Sequence, residues 1–157
     1  MIRVGSGFDV HAFAEGRKLV LGGVEIEFPK GLAGHSDADV VLHALCDAML
    51  GAVAKGDIGH HFPPHDPKFK NIASLKLLKH VDSLLQEDDW SIVNADITVI
   101  CEFPKLAPYI DQMRTKISDA LMVSFNQISV KATTSEKLGF TGRGEGIAAM
   151  AVVLVEK

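Results

Sequence analysis

Cysteine is scarce in this 157-residue chain: Cys46 and Cys101 are the only two, both sit inside apolar segments, and neither belongs to a C-x-x-C pair. That excludes a disulfide framework or a cysteine-built zinc knuckle and reads as two buried thiols. Long apolar runs are lacking too. Nothing approaches the roughly 20 residues of a membrane span, and Met1-Ile2-Arg3-Val4-Gly5 does not lead into the apolar stretch of a signal peptide, so a soluble cytoplasmic protein without a membrane partner is expected. Positive charge is not in excess: 16 Lys and Arg stand against 20 Asp and Glu, a net −4 that argues against a protein covering a nucleic-acid backbone. Local basic sites for one small anion stay open. There is no linker-like tract, charge block or repeat, so residues 1–157 read as one domain. With 47% hydrophobic and 23% charged residues, intrinsic disorder is excluded.

What is there alternates between two periods. Ile2 to Phe8 reads as a strand that ends at Asp9-Val10-His11, and Lys18 to Phe28 as a hairpin turning at Gly22-Gly23, where a tight turn needs positive φ. Gly31 to Gly34 reads as loop. Ser36 and Asp39 signal the start of a helix apolar on most sides, hence buried. Gly56 to Pro67 is too rich in Gly, Pro, His and Asp for helix or strand. Ile72, Leu75, Leu78, Val81 and Leu85 carry a second helix and Leu106, Ile110, Met113, Ile117 and Leu121 a third, with Pro104 and Pro108 confined to its beginning. Ala95 to Cys101, Ile128 to Thr133 and Ile147 to Val155 alternate or run apolar as strands, the last two joined by a Gly-rich connection. The fold class is α+β: a two-layer sheet with helices on one face. The last strand, apolar at nearly every position, implies that the other face is also buried, in an oligomer.

The chemistry gathers in a few segments. Asp9 and His11, at i and i+2 of a strand, project to one side. His43 lies between Asp39 and Asp47 at i−4 and i+4 and completes a polar stripe on a buried helix, which must be satisfied by something. Hydrogen bonding among core polar groups would do it; so would a metal, since two nitrogens and one oxygen suit a tetrahedral zinc with an open fourth position. Gly34-His35-Ser36-Asp37 precedes a helix N-terminus and is either an anion site or a cap. Asp57-Ile58-Gly59 and Phe62-Pro63-Pro64-His65-Asp66 are a binding loop or a plain surface loop. Lys131 to Lys137 mixes hydroxyls, ammonium groups and a carboxylate, which suits a phosphate with a hard cation, or a solvated turn.

Taken together, Gly7-Phe8-Asp9-Val10-His11, the run His35 to Ala44, Gly56-Asp57-Ile58-Gly59 and the run Val130 to Gly146 closely resemble the 2-C-methyl-D-erythritol 2,4-cyclodiphosphate synthase family, over essentially the whole chain and in order. The resemblance implies a homotrimer with an active site at each subunit interface. It also implies conversion of 4-diphosphocytidyl-2-C-methyl-D-erythritol 2-phosphate to the cyclic diphosphate and CMP, in the non-mevalonate route to isoprenoids. By the same resemblance Asp9, His11 and His43 would bind zinc and Glu136 magnesium or manganese. His35 and Thr134 would stabilise the transition state, with Ser36 beside the substrate phosphate. Asp57, Gly59, Phe62 and Asp66 would hold the methylerythritol portion. Pro104-Lys105-Leu106 and Ala132-Thr133-Thr134, from a neighbouring subunit, would hold the cytidine diphosphate end. Val10, Ile58, Ser135, Phe140 and Arg143 are further expected substrate neighbours. Phe8, Arg143 and Glu145 would line a cavity on the three-fold axis able to take a prenyl diphosphate.

The sequence departs from the common pattern at Ser6, at Pro64-His65 in the substrate loop, and at Cys101-Glu102-Phe103 beside the nucleobase pocket. Two rival functions share the same residues: a zinc-dependent phosphohydrolase, in which the metal activates water, and a non-catalytic module that binds nucleotides or prenyl diphosphates.

Overall fold

The computed structural model describes all residues, Met1–Lys157. Strand β1 (Ile2–Ala14) alternates strictly, its odd-numbered residues turned inward from Gly5 and its even-numbered ones outward. A hairpin of β2 (Leu19–Leu21) and β3 (Val24–Ile26) follows, then β4 (Gly31–Leu32), α1 (Val40–Ala52), α2 (Ile58–His61), α3 (Ser74–Gln86), β5 (Ser91–Ile100), α4 (Ile110–Leu121), β6 (Ile128–Thr133), α5 (Gly139–Gly142) and β7 (Gly146–Glu156). The main sheet has the order β4-β1-β7-β5-β6. Its pairs are antiparallel except β5–β6, whose parallel register is made possible by the crossover through α4. This mixed α+β arrangement matches the expected class, and both cysteines are free and buried. No helix is long and apolar enough to cross a membrane.

Helix α1 is apolar almost all round because it is enclosed almost all round, by β1 and β7 on one side and α3 on the other. Its contact with β1 is backbone against backbone. A Cβ on Gly7 would fall 2.0 Å from the Ala44 carbonyl oxygen, and one on Gly5 would fall 2.0 Å from that of Ala48. Ala44, Ala48 and Ala52 recur once per turn on the helix face that meets these glycines. The small residues on both partners therefore let the helix lie directly on the strand.

Asp39 ties the hairpin to this helix. Its fully buried carboxylate accepts from Gly22 N at 2.9 Å, Gly23 N at 2.7 Å and, as helix cap, Leu42 N at 3.1 Å. Burial, reinforced by the nearby Asp37 charge, pushes its pKa up to about 6 against the pull of those donors.

Several local expectations are corrected. The first strand does not end at His11 but continues to Ala14, because Gly31–Leu32, expected as loop, pairs with Phe13 and Ala14. Ile58–His61 forms one helical turn inside the segment expected to be neither helix nor strand, since the Asp57 carboxylate caps it by accepting from His60 N. Gly139–Gly142 is likewise a helical turn within the Gly-rich connection. Within one chain β7 is covered on one side only: Met150 and Val152 are 54% and 46% exposed on the face away from the helices.

The β1–α1 contact predicts opposite outcomes for two glycine substitutions. Gly7→Val should lower the stability of the fold by about 3 kcal/mol or more, because the helix backbone has no side-chain end that can yield. Gly51→Ala, at an exposed α1 position where a Cβ meets nothing nearer than 3.9 Å, should raise it by about 0.5 kcal/mol. Urea unfolding midpoints check both.

Candidate metal centre and nucleotide pocket

The strand period puts Asp9 and His11 on the inward side of β1, and the close approach of α1 brings His43 against them. Asp9 Oδ2 lies 2.9 Å from His11 Nε2 and 3.1 Å from His43 Nδ1, and the two nitrogens are 3.3 Å apart. A tetrahedral ion with bonds of about 2.0–2.1 Å has ligand–ligand edges of about 3.3 Å, so the triangle already has the size of one face of such a site. His11 donates from Nδ1 to the Ala33 carbonyl at 2.6 Å, so the neutral ring keeps its Nε2 lone pair in the triangle, while the charged ring donates from Nε2 to Asp9. Burial alone would raise the Asp9 pKa, but hydrogen bonds and charge from His11 and His43 outweigh it and hold the carboxyl at about 2. His11 is shifted above its ordinary value: burial opposes this, and the Asp9 carboxylate wins. The donor set and its spacing fit a divalent metal.

The triangle opens into a cavity of about 280 Å³ that His35, Ser36, Ile58, Gly59 and Phe62 also line. Phe62 is braced edge-to-face by Phe69 and His80, each with ring centroids 5.3 Å away, so that wall is held by packing. Asp57 and Asp66 do not line the cavity. Asp57 caps α2, and Asp66 accepts from Lys68 N at 2.9 Å. Val10 points to the other side of the sheet, so only its main chain lies beside Asp9 and His11.

A second pocket, of about 270 Å³, forms at the end of β5 and β6 from Cys101, Pro104, Lys105, Leu106, Ala132, Thr133 and Thr134. The Cys101 thiol donates to the Phe103 carbonyl at 2.9 Å and is pushed up to about 11 by burial, so it braces the pocket wall and is no nucleophile. Phe103 itself is 63% exposed. Beyond Thr134, Glu136 and Lys137 are both left-handed, with φ of 54° and 64°. Lys137 N donates to Glu102 Oε1 at 3.0 Å and Glu136 N to Thr134 Oγ1 at 3.2 Å, and these bonds hold the strained turn with the Glu136 side chain exposed. Ser135 spends its hydroxyl locally, on Thr141 and the Leu138 carbonyl.

One chain does not bring the two pockets together. β1 and β6 are separated by β7 and β5, three strand spacings or roughly 14 Å. Phe8 and Phe140 are exposed, and Arg143 Nη2 meets Glu145 Oε2 at 3.0 Å as an exposed ion pair.

The polar stripe along α1 is satisfied by three different partners. Asp39 turns to the Gly22-Gly23 hairpin, Asp47 accepts from Ile58 N at 2.8 Å to anchor α2, and only His43 faces the strand. At the helix N-terminus the Asp39 carboxylate accepts from Leu42 N, so the start of α1 is capped. Two contributors were missed. Arg17 reaches the Ser36 carbonyl from the β1–β2 connection at 2.6 Å, and Ser74, the first residue of α3, lies 2.9 Å from His43 Nε2. Neither belongs to a motif or to a hydrophobic period, so no sequence signal marked them.

The chain is similar to known proteins over its whole length. The chain is 59% identical over 157 residues to 2-C-methyl-D-erythritol 2,4-cyclodiphosphate synthase of Geobacillus kaustophilus, covering 100% of this chain and 99% of that one. The structure of the bifunctional IspDF from Campylobacter jejuni superposes with a TM-score of 0.95 at 46% identity, over 99% of this chain and 42% of that longer one. IspF of Plasmodium falciparum in complex with CDP superposes with a TM-score of 0.86 at 35% identity, over 98% of this chain and 95% of that one. Residues 2–156 match the YgbB family, and with full-length relatives of this identity the chain belongs to that family of cyclodiphosphate synthases.

Proposed function

We propose that this chain converts 4-diphosphocytidyl-2-C-methyl-D-erythritol 2-phosphate into 2-C-methyl-D-erythritol 2,4-cyclodiphosphate and CMP, as a lyase of the non-mevalonate isoprenoid pathway. The observation that carries the reading is the Asp9–His11–His43 triangle at the mouth of a cavity of about 280 Å³, in a chain of this family. An oxygen of the 2-phosphate forms a bond to the β-phosphorus. The bond from that phosphorus to the α–β bridging oxygen breaks, and its electron pair leaves with CMP. No general base is needed, because the attacking phosphate is already largely ionised near neutral pH. Nucleophile and electrophile belong to one molecule, so the protein's task is to fold it into an attacking geometry.

Asp9, His11 and His43 would hold zinc and Glu136 magnesium or manganese. Bound there, such cations supply the positive charge that lets two anionic phosphates approach. His35 and Thr134 stabilise the charge of the transition state, and Ser36 holds the substrate phosphate. Gly59 and Phe62 contact the methylerythritol portion, with Asp57 and Asp66 shaping their loop. The pocket of Pro104, Lys105, Leu106 and Ala132 to Thr134 takes the cytidine diphosphate, which agrees with the CDP bound by the Plasmodium falciparum relative.

The reading includes a cytoplasmic homotrimer of single-domain chains. Its support is twofold: the two half-sites lie three strands apart, and the uncovered sheet face presents Ile2, Val4, Phe8, Val10, Met150 and Val152 exposed. Packing of that face against two further copies would pair the metal triangle of one with the nucleotide pocket of another. It would also gather Phe8, Arg143 and Glu145 near the axis as the lining of a prenyl diphosphate cavity.

Phosphorus NMR of the purified protein with the diphosphocytidyl substrate should show the cyclic diphosphate and CMP appearing together. Linear phosphate products would make the protein a hydrolase, and unchanged substrate a binding module. Asp9→Ala and His43→Ala should each lower zinc affinity by more than roughly 100-fold, since even the outer partner of a ligand is worth 10–100-fold, while the trimer persists. Metal analysis and light scattering check this, and full zinc occupancy in both variants would reassign the ligands. Glu136→Gln should leave zinc in place but raise the magnesium concentration for half-maximal turnover roughly tenfold, the worth of one screened charge contact. Unchanged magnesium dependence would remove Glu136 from the site.

A further inference from the structure

The face of His43 turned away from the metal triangle meets a polar network that the reaction does not account for. His43 Nε2 lies 2.9 Å from Ser74 Oγ and 3.2 Å from Ser36 Oγ, with Ser74 fully buried at the first residue of α3. Ser74 in turn is clamped by Asp37. Its backbone N–H donates to Asp37 Oδ2 at 3.0 Å and its hydroxyl donates to Asp37 Oδ1. Asp39 N also donates to Asp37 Oδ1, at 3.2 Å, so the carboxylate is oriented from two elements.

The directions of these bonds follow from what each group can do. An ionised carboxylate only accepts, so the Ser74 hydroxyl proton is committed to Asp37. What Ser74 Oγ then offers His43 is a lone pair, and His43 Nε2 must bring the proton. A neutral imidazole carries one proton, so with Nε2 protonated the lone pair is on Nδ1, the atom that faces Asp9 and His11. The opposite tautomer would set two lone pairs against each other across 2.9 Å in a buried site, and only the Asp9 carboxylate, 3.1 Å from Nδ1, draws the proton that way when no metal is bound.

We propose that Asp37 and Ser74 are positioning residues for the metal centre: the chain Asp37–Ser74–His43 fixes the histidine proton on Nε2 and holds Nδ1 ready as a ligand. The same polarity determines the role of Ser36. Its Oγ accepts from Ala38 N at 3.1 Å and also faces the proton on His43 Nε2, so its own hydroxyl proton is left to donate into the cavity it lines. An anionic oxygen of the substrate is the acceptor that matches. Asp47, the other acidic residue one turn from His43, takes no part, being occupied with Ile58 N.

The inference rests on the metal reading above, and two measurements keep the two apart. In the metal-free full-length protein, nitrogen NMR should show a larger share of His43 protonated on Nε2 in wild type than in Ser74→Ala, with the Asp9 carboxylate drawing the remainder to Nδ1. In Asp37→Asn, where the amide no longer commits the serine proton, that share should also fall. Zinc affinity, measured by chelator competition on variants whose circular dichroism matches wild type, should fall 10–100-fold in each. A His43 tautomer balance unchanged by Ser74→Ala, or both variants binding zinc within twofold of wild type, would overturn the proposal. A wild type that takes up no zinc would overturn the metal reading, and the tautomer measurement would then decide the Asp37–Ser74 chain by itself.

Discussion

The site depends on how closely one helix can lie on one strand. Asp9 and His11 are adjacent by strand alternation alone, but His43 is more than 30 residues away and reaches them only because Gly5 and Gly7 carry no side chains and α1 answers with alanines. A single methyl group at either glycine would stand 2.0 Å from a helix carbonyl. The helix would have to retreat, and a ligand triangle with edges of 2.9 to 3.3 Å tolerates little retreat. Packing and chemistry are the same contact seen from its two ends. Interiors are close-packed and deform little, so the geometry of the triangle is inherited from the backbone approach.

Around this contact carboxylates act as ties between elements, Asp39 fully buried and Asp37 and Asp47 half-buried. Asp39 joins α1 to the β2–β3 hairpin, Asp47 joins it to α2, and Asp37 joins the loop before α1 to the start of α3. Each accepts one or more backbone N–H groups that would otherwise be orphaned, and Asp37 and Asp47 each aim a segment that borders the cavity. Asp39 bears a real cost, seen in its raised pKa, and that cost is offset by three backbone donors. Such anchoring suits a site that must hold a flexible, highly charged molecule in one conformation, where rigid surroundings contribute more than any single contact.

Much of this was legible in the sequence, and the limits have a physical pattern. Period-2 alternation placed Asp9 and His11 together, the Gly22-Gly23 step marked the hairpin, and the apolar character of Val40 to Ala52 announced a buried helix. Spacing along α1 grouped Asp39, His43 and Asp47 in one polar stripe, but a shared face does not imply a shared partner: each acid found a different backbone donor. Ser74 and Arg17 were invisible for a related reason, and Asp37, though part of a motif, gave no sign of its tie to Ser74. Their roles arise from contacts between segments distant in the chain, and no local period records those. The short helix at Ile58 escaped notice because one turn needs only a capping Asp57 to form, even among residues that usually break helices.

The account stands or falls on what the Asp9–His11–His43 triangle holds. X-ray absorption at the zinc edge of the purified, zinc-loaded protein measures that directly. The account predicts a four-coordinate shell of nitrogen and oxygen at about 2.0–2.1 Å, with two imidazoles and no sulfur. A sulfur shell at about 2.3 Å would move the metal to a cysteine, and a six-coordinate shell of oxygen alone would leave the triangle as a hydrogen-bonded cluster; either result contradicts the account.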